Sequence, residues 1–164
     1  MIDLTKYITR DLVCVYKDAE TKPFILEKIA KLTSHHNEEL LSREKEVLDT
    51  FLEREQLGST ALTKGIALPH CRMSGISDFI IGILVSPEGV AYGSMDGLKS
   101  RIFFFVIAPK ESGKEYLDIM AEIGSFLSNE EVVEKLMNSE NDEFLFNTFL
   151  NLWDEYSHKE HNKE

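Results

Sequence analysis

The sequence predicts one α/β domain, a mixed β-sheet flanked by helices, and three observations carry that expectation. Phe79 to Val85 and Ile102 to Ala108 are two nearly unbroken apolar runs, which is how strands buried on both faces read. Segments with apolar residues three and four apart, the spacing of amphipathic helices, stand before and after them. The order along 164 residues is strand, helices, several strands, then three helices, a length suited to one domain and a succession that packs as layers around one sheet.

Taken in order, Leu12 to Tyr16 reads as a short strand rich in β-formers. Thr21 is placed to cap a helix that accepts Pro23 in its first turn, with Ile25, Ile29 and Leu32 on one face and an end at Ser34 to Asn37. A second helix starts at Ser42, carries Val47, Leu48, Phe51 and Leu52 as its stripe, and stops at Gly58. Ile66 to Leu68 form a strand that Pro69 ends or confines to an edge. That leaves His70 just beyond the strand end, where loops carry chemistry in open α/β sheets. After the first buried run, Pro87-Glu88-Gly89 predicts a turn, Val90 to Tyr92 a short returning strand, and Asp96-Gly97 another turn.

Pro109 closes the second buried run. Ser112 with Glu115 has the spacing of a capping box and opens a helix with Leu117, Met120, Ala121, Gly124 and Leu127 on one face. Ser128 with Glu131 repeats the box for a short helix holding Val132, Val133, Leu136 and Met137. A last helix starts at about Asp142, with Phe144, Leu145, Phe149, Leu152 and Trp153 as its apolar side. Residues 1–157 read as the domain and 158–164 as a frayed polar tail.

Bulk properties narrow the function. A formal net charge of -11 repels a phosphate backbone, so nucleic acid is excluded as a direct partner. The same charge would steer a basic protein partner, or serve solubility alone. No run approaches the roughly 18 apolar residues of a membrane span. The N-terminus lacks the basic and apolar regions of a signal peptide. Two widely separated cysteines, Cys14 and Cys71, form no disulfide framework and suit a reducing cytoplasm.

Chemistry concentrates in Arg54 to Arg72, R-E-Q-L-G-S-T-A-L-T-K-G-I-A-L-P-H-C-R. A neutral imidazole, with an unperturbed pKa of about 6.5, is a nucleophile at physiological pH. Attack on phosphorus would give a phosphoramidate and split one transfer into two. Phosphoryl transfer asks a protein for positioning and charge, which Arg54, Arg72, the hydroxyls of Ser59 and Thr60, and the Cys71–Met73 backbone could supply. Spacing alone leaves two readings of His70, a nucleophile and a structural loop histidine. Cys71 reads as a tolerated small side chain, as a redox brake on its neighbour, or as half of a metal site with His70. Metal needs about four ligands, and no others are recognisable nearby, so no metal and no cofactor are expected. His35-His36 read as a helix-end pair facing the dipole, and His158 and His161 as tail residues.

The segment G-S-T-A-L-T-K-G-I-A-L-P-H, with Arg54-Glu55 before it, resembles the phosphorylation-site signature of the fructose/mannitol-type EIIA domains of the bacterial sugar phosphotransferase system. The P-E-G-V-A-Y-G segment at Pro87, the apolar run ending at Ala108-Pro109 and the helix after it follow in family order. The resemblance spans about residues 3 to 150. It implies that fold. It implies a phosphoryl carrier that takes phosphate on His70 from an HPr-like phosphocarrier and passes it to an EIIB domain. Arg54 would lie near the phosphohistidine, with Glu55 at the same rim and Ser59 and Thr60 before the active-site strand; Arg72 joins on charge alone. Family members commonly carry a second histidine early in the helix after the last central strand, and Tyr116 stands there instead. An alternative is a stand-alone regulatory EIIA-like protein, as in the nitrogen-related branch, whose phosphorylation state controls binding to target proteins. The missing second histidine, the absence of a fused EIIB or EIIC portion and of a sugar-binding signature favour it; the intact His70 stretch favours carriage.

Overall fold

The structure, a computed structural model, describes residues 1–163. Its sheet is assembled around β5 (Ser100–Pro109), of which residues 102–108 are completely buried. On one side β5 pairs antiparallel with β4 (Ile80–Val90), and β4 pairs parallel with β1 (Val13–Val15). On the other side β2 (Ile66–Ala67) and β3 (His70–Met73) both run parallel to β5. The sheet is therefore mixed, as expected, and of five strands.

Side chains alternate across this sheet as strand geometry requires. Ile102, Phe104, Val106 and Ala108 join one core, with α3 (Gly113–Leu127), α4 (Glu130–Met137) and α5 (Asp142–His161) over it. Phe103, Phe105 and Ile107 join the other, under α1 (Lys22–His36) and α2 (Glu44–Gln56). Each buried Phe or Ile contributes about 1.5–3 kcal/mol, so β5 anchors both layers. Gly82 is what admits Phe105: a Cβ there would lie 2.2 Å from both the Phe105 ring and the Leu12 carbonyl oxygen.

The edge beside β5 carries His70. Ile66 is opposite Ile102 and His70 is opposite Val106, the same offset on either side of Leu68-Pro69. β2 and β3 are thus one edge strand, interrupted where proline has no N–H to give; its carbonyl still accepts from the Val106 N–H at 2.9 Å. His70 is the first residue of the resumed strand, not part of a loop beyond it.

Four other local expectations are corrected. Pro87-Glu88-Gly89 does not turn the chain. β4 continues through it to Val90 with a shift of register, a bulge held by Arg101 Nε donating to the Pro87 carbonyl at 3.0 Å. Neither serine caps a helix. Ser112 has helical backbone and no capping bond, and Ser128 follows α3, its Oγ donating to the Ser125 carbonyl. The caps are Asn129, accepting from Glu131 N–H, and Asn141, accepting from Phe144 N–H. The buried face of α3 is Ile119, Ile123, Phe126 and Leu127, while Leu117 is 64% exposed; on α5, Phe144 is likewise turned to solvent. The polar stretch after residue 157 remains helical to His161.

Candidate functional site

His70 lies half-buried on the same face of the edge strand as Arg72, and Cys71 and Met73 point to the opposite core. Its Nδ1 is 2.7 Å from the Leu68 carbonyl oxygen. A carbonyl only accepts, so Nδ1 carries the ring proton and Nε2 keeps its lone pair. Burial, the largest influence, and the charge of Arg54 push the pKa of His70 down; the Leu68 bond and Glu55 oppose them. The net shift favours the neutral ring.

Tyr116, in the first turns of α3, meets His70 at 6.3 Å between ring centroids. The Arg72 guanidinium stacks over the Tyr116 ring at 4.3 Å, with Nη1 donating to the Lys110 carbonyl at 3.4 Å. Burial raises the pKa of Tyr116, with Arg72 and Arg54 pulling the other way, so the phenol stays protonated and can donate. Arg54 ends α2, where its Nη1 donates to the Gly58 carbonyl at 2.9 Å. Its charge reaches His70, Tyr92 and Tyr116. His70, Tyr116 and Arg72 therefore meet at one region of the sheet edge, within range of the Arg54 charge.

Three expected rim residues are placed differently. Glu55 is not on the rim: its side chain is 5% exposed and is filled by donors. Lys22 Nζ approaches it at 2.5 Å, Tyr92 donates its hydroxyl at 3.0 Å, and Thr60 donates both its N–H, at 3.1 Å, and its Oγ–H. The Thr60 hydroxyl is therefore committed to Glu55. Ser59 Oγ donates to the Tyr92 carbonyl at 2.7 Å and accepts from the Ala61 N–H. Both hydroxyls shape the loop and are not free for a phosphate. The Cys71–Met73 backbone pairs with β5 on one side only, so as an edge strand it gives alternate N–H groups to that ladder and turns the others outward.

Sequence reading missed Lys22 and Tyr92. Lys22 also lies 4.3 Å over the Tyr92 ring. The signal for Tyr92 was its place in the P-E-G-V-A-Y-G segment; Lys22, thirty-odd positions upstream of Glu55, had none. Cys71 is buried, with its thiol pushed up to about 12 by desolvation, and it faces away from His70. Among the described residues no group of three or more His, Cys, Asp or Glu is arranged to hold a metal. His36 pairs with Asp11 at 2.6 Å, and His158 and His161 each turn Nδ1 onto a carbonyl of their own helix. No helix of the described residues is long and apolar enough to cross a membrane.

Comparison with known proteins agrees with this architecture. The family model described as "Phosphoenolpyruvate-dependent sugar phosphotransferase system, EIIA 2" matches residues 6–152. The chain is 29% identical over 146 residues to the nitrogen regulatory protein of Pseudomonas aeruginosa, covering 89% of this chain and 94% of that one. It is 31% identical over 108 residues to the mannitol-specific phosphotransferase enzyme IIA component of Bacillus subtilis, covering 64% and 72%. Among solved structures, nitrogen regulatory protein IIA-Ntr from Neisseria meningitidis shares the fold with a TM-score of 0.77 at 22% identity, over 88% of this chain and 97% of that one. The Escherichia coli mannitol IIA, solved in complex with phosphorylated IIB, shares it with a TM-score of 0.68 at 18% identity, over 88% and 94%.

Proposed function

This chain belongs to the EIIA 2 family of the phosphoenolpyruvate-dependent sugar phosphotransferase system, and from that premise we propose that it is a cytoplasmic phosphoryl carrier using His70. One observation carries the reading: Nδ1 donates to the Leu68 carbonyl, which leaves the Nε2 lone pair available. That pair attacks the phosphorus of a phosphohistidine on an HPr-like donor. The donor's P–N bond breaks as the new P–Nε2 bond forms, and the electron pair leaves with the donor imidazole. His70 keeps its Nδ1 proton throughout, so positive charge building on the ring is shared with the Leu68 carbonyl. Arg54 balances the phosphoryl charge. Tyr116 donates to a phosphoryl oxygen, with Arg72 held over its ring as a second cation. The reverse displacement hands the group to an EIIB partner. The working unit is residues 1–157; no cofactor, nucleic acid or membrane insertion enters the cycle.

Incubation with enzyme I, HPr and labelled phosphoenolpyruvate tests this. Wild type should take up acid-labile label and His70→Ala none. Label that persists in His70→Ala would remove the site assignment.

A regulatory reading is favoured by one specific feature, the phenol at 116. A phenol can hold a phosphoryl oxygen but, unlike an imidazole, does not exchange protons near neutral pH, which suits a phosphohistidine that persists as a signal. The relative named a nitrogen regulatory protein is matched over nearly its whole length. Tyr116→His should speed discharge to EIIB; an unchanged rate would remove this argument.

A further inference from the structure

Glu55 and His70 share no contact that the mechanism uses, yet an unbroken run of hydrogen bonds joins them. Glu55 holds Thr60 at two points, its N–H and its hydroxyl. The Thr60 carbonyl accepts from the Leu68 N–H at 3.0 Å, and the Leu68 carbonyl accepts from His70 Nδ1–H at 2.7 Å. The carboxylate is itself fixed from two further elements, by Lys22 in the first turn of α1 and by Tyr92 just past β4.

We infer that Glu55 is a positioning residue: through Thr60 and Leu68 it aims the carbonyl that keeps the His70 proton on Nδ1 and leaves Nε2 bare. The inference rests on the proposed role of His70 and gives Glu55, Thr60, Lys22 and Tyr92 a part in it. Stability alone does not explain the arrangement. The loop from Thr60 to Leu68 is already closed by the Leu62 N–H donating to the Ile66 carbonyl at 2.8 Å and by the Ala61–Ala67 bridge. A well-packed apolar pair in place of a buried ion pair is commonly no less stable. What an apolar pair could not do is hold one peptide, Thr60, from both its N–H and its hydroxyl, and so fix the rotation of the next peptide in the run. A ring tautomer is set by the bond its other nitrogen makes, and here that bond is only as well aimed as the Leu68 carbonyl.

The readout is the His70 ring itself, observed by long-range proton–nitrogen NMR, beside the rate of label uptake from phospho-HPr. Wild type should show Nδ1–H alone. The paired change Lys22→Met with Glu55→Met removes the relay without leaving a buried charge. It should bring in the Nε2–H tautomer and slow uptake on the order of tenfold or more, the scale of loss when a group that orients a metal-bound histidine is removed. Glu55→Gln retains an oxygen for Thr60 and should keep the wild-type tautomer. A folded double variant with the wild-type tautomer and rate would overturn the inference. Should that variant fail to fold, Thr60→Val, nearly isosteric, decides by the same spectrum: an unchanged ring overturns the inference. A ring that shifts in the variants while wild type takes up no label would keep the inference about the ring and remove the carrier reading.

Discussion

Replacing Lys22 by methionine isolates the energetics of the buried pair. The Glu55 side chain is 5% exposed, its Lys22 partner 24%, and their charged atoms are 2.5 Å apart. Removing the cation leaves a carboxylate with only neutral donors, Thr60 and Tyr92. Stranding a fully buried charge costs about 3–5 kcal/mol. Partial access of water to the ammonium lowers that figure, while the lost stacking of Lys22 on Tyr92, at 4.3 Å, adds about 0.5–2 kcal/mol. The expected loss is about 3 kcal/mol, or roughly 6–12 °C in melting temperature for a chain of this size. Urea unfolding followed by the fluorescence of the single, buried Trp153 measures it. Lys22→Met with Glu55→Met removes the buried charge but leaves the Thr60 N–H and hydroxyl and the Tyr92 hydroxyl without their acceptor, at about 1–3 kcal/mol for each buried donor left unpaired, so it should recover no more than part of the loss. The reasoning fails if Lys22→Met costs less than about 1 kcal/mol.

Gly82→Ala should destabilise by about 3 kcal/mol or more in the same assay, because its methyl group meets backbone on one side and the Phe105 ring on the other at 2.2 Å; an effect under about 1 kcal/mol would mean that Phe105 can move aside. The phase of α3 is checked by a pair of truncations: Leu117→Ala should change stability by less than about 0.5 kcal/mol, whereas Ile119→Ala should cost about 2–5 kcal/mol. For pH, folding lowers the His70 pKa below its ordinary 6.5, so between the two values the unfolded chain binds more protons and stability rises with pH. The contribution of His70 is lost as pH falls through the region around 6.5 toward the folded pKa; relative to His70→Gln, wild type should lose ground as pH falls from about one unit above 6.5, and a wild type that gains ground as pH falls would contradict the assignment.

The strands were legible where burial on both faces left no choice of side chain. Ile102 to Ala108 and Phe79 to Val85 are apolar at every position but Gly82, and no helix surface in a domain of this size needs such a run. The face of α3 was not, because Leu117 also sits at helical spacing from Met120, Ala121, Gly124 and Leu127; two overlapping stripes share the segment, and only packing against Phe104 and Phe149 through Phe126 chooses between them. At the site, His70 could be found because proline immediately precedes it and arginine follows two residues later. The burial of Glu55 could not, since a carboxylate at a helix end reads as solvated until its donors are known, and one of them is supplied from residue 22 and another from residue 92. Strand resumption at His70 was hidden for a related reason: proline stops a ladder in the middle of a sheet, and only topology tells that this strand is on the edge.

The constant offset of the edge strand across Pro69 has a consequence for mutational tolerance. Side chains of a strand alternate with a period of two, so inserting or deleting one residue between Ala67 and His70 would carry the imidazole to the opposite core and bring the Cys71 position to the site. β4 differs, because its bulge between Val85 and Val90 already absorbs irregular length without disturbing the central ladder. Segment 66–73 thus tolerates no change in length, while the far end of β4 can absorb one.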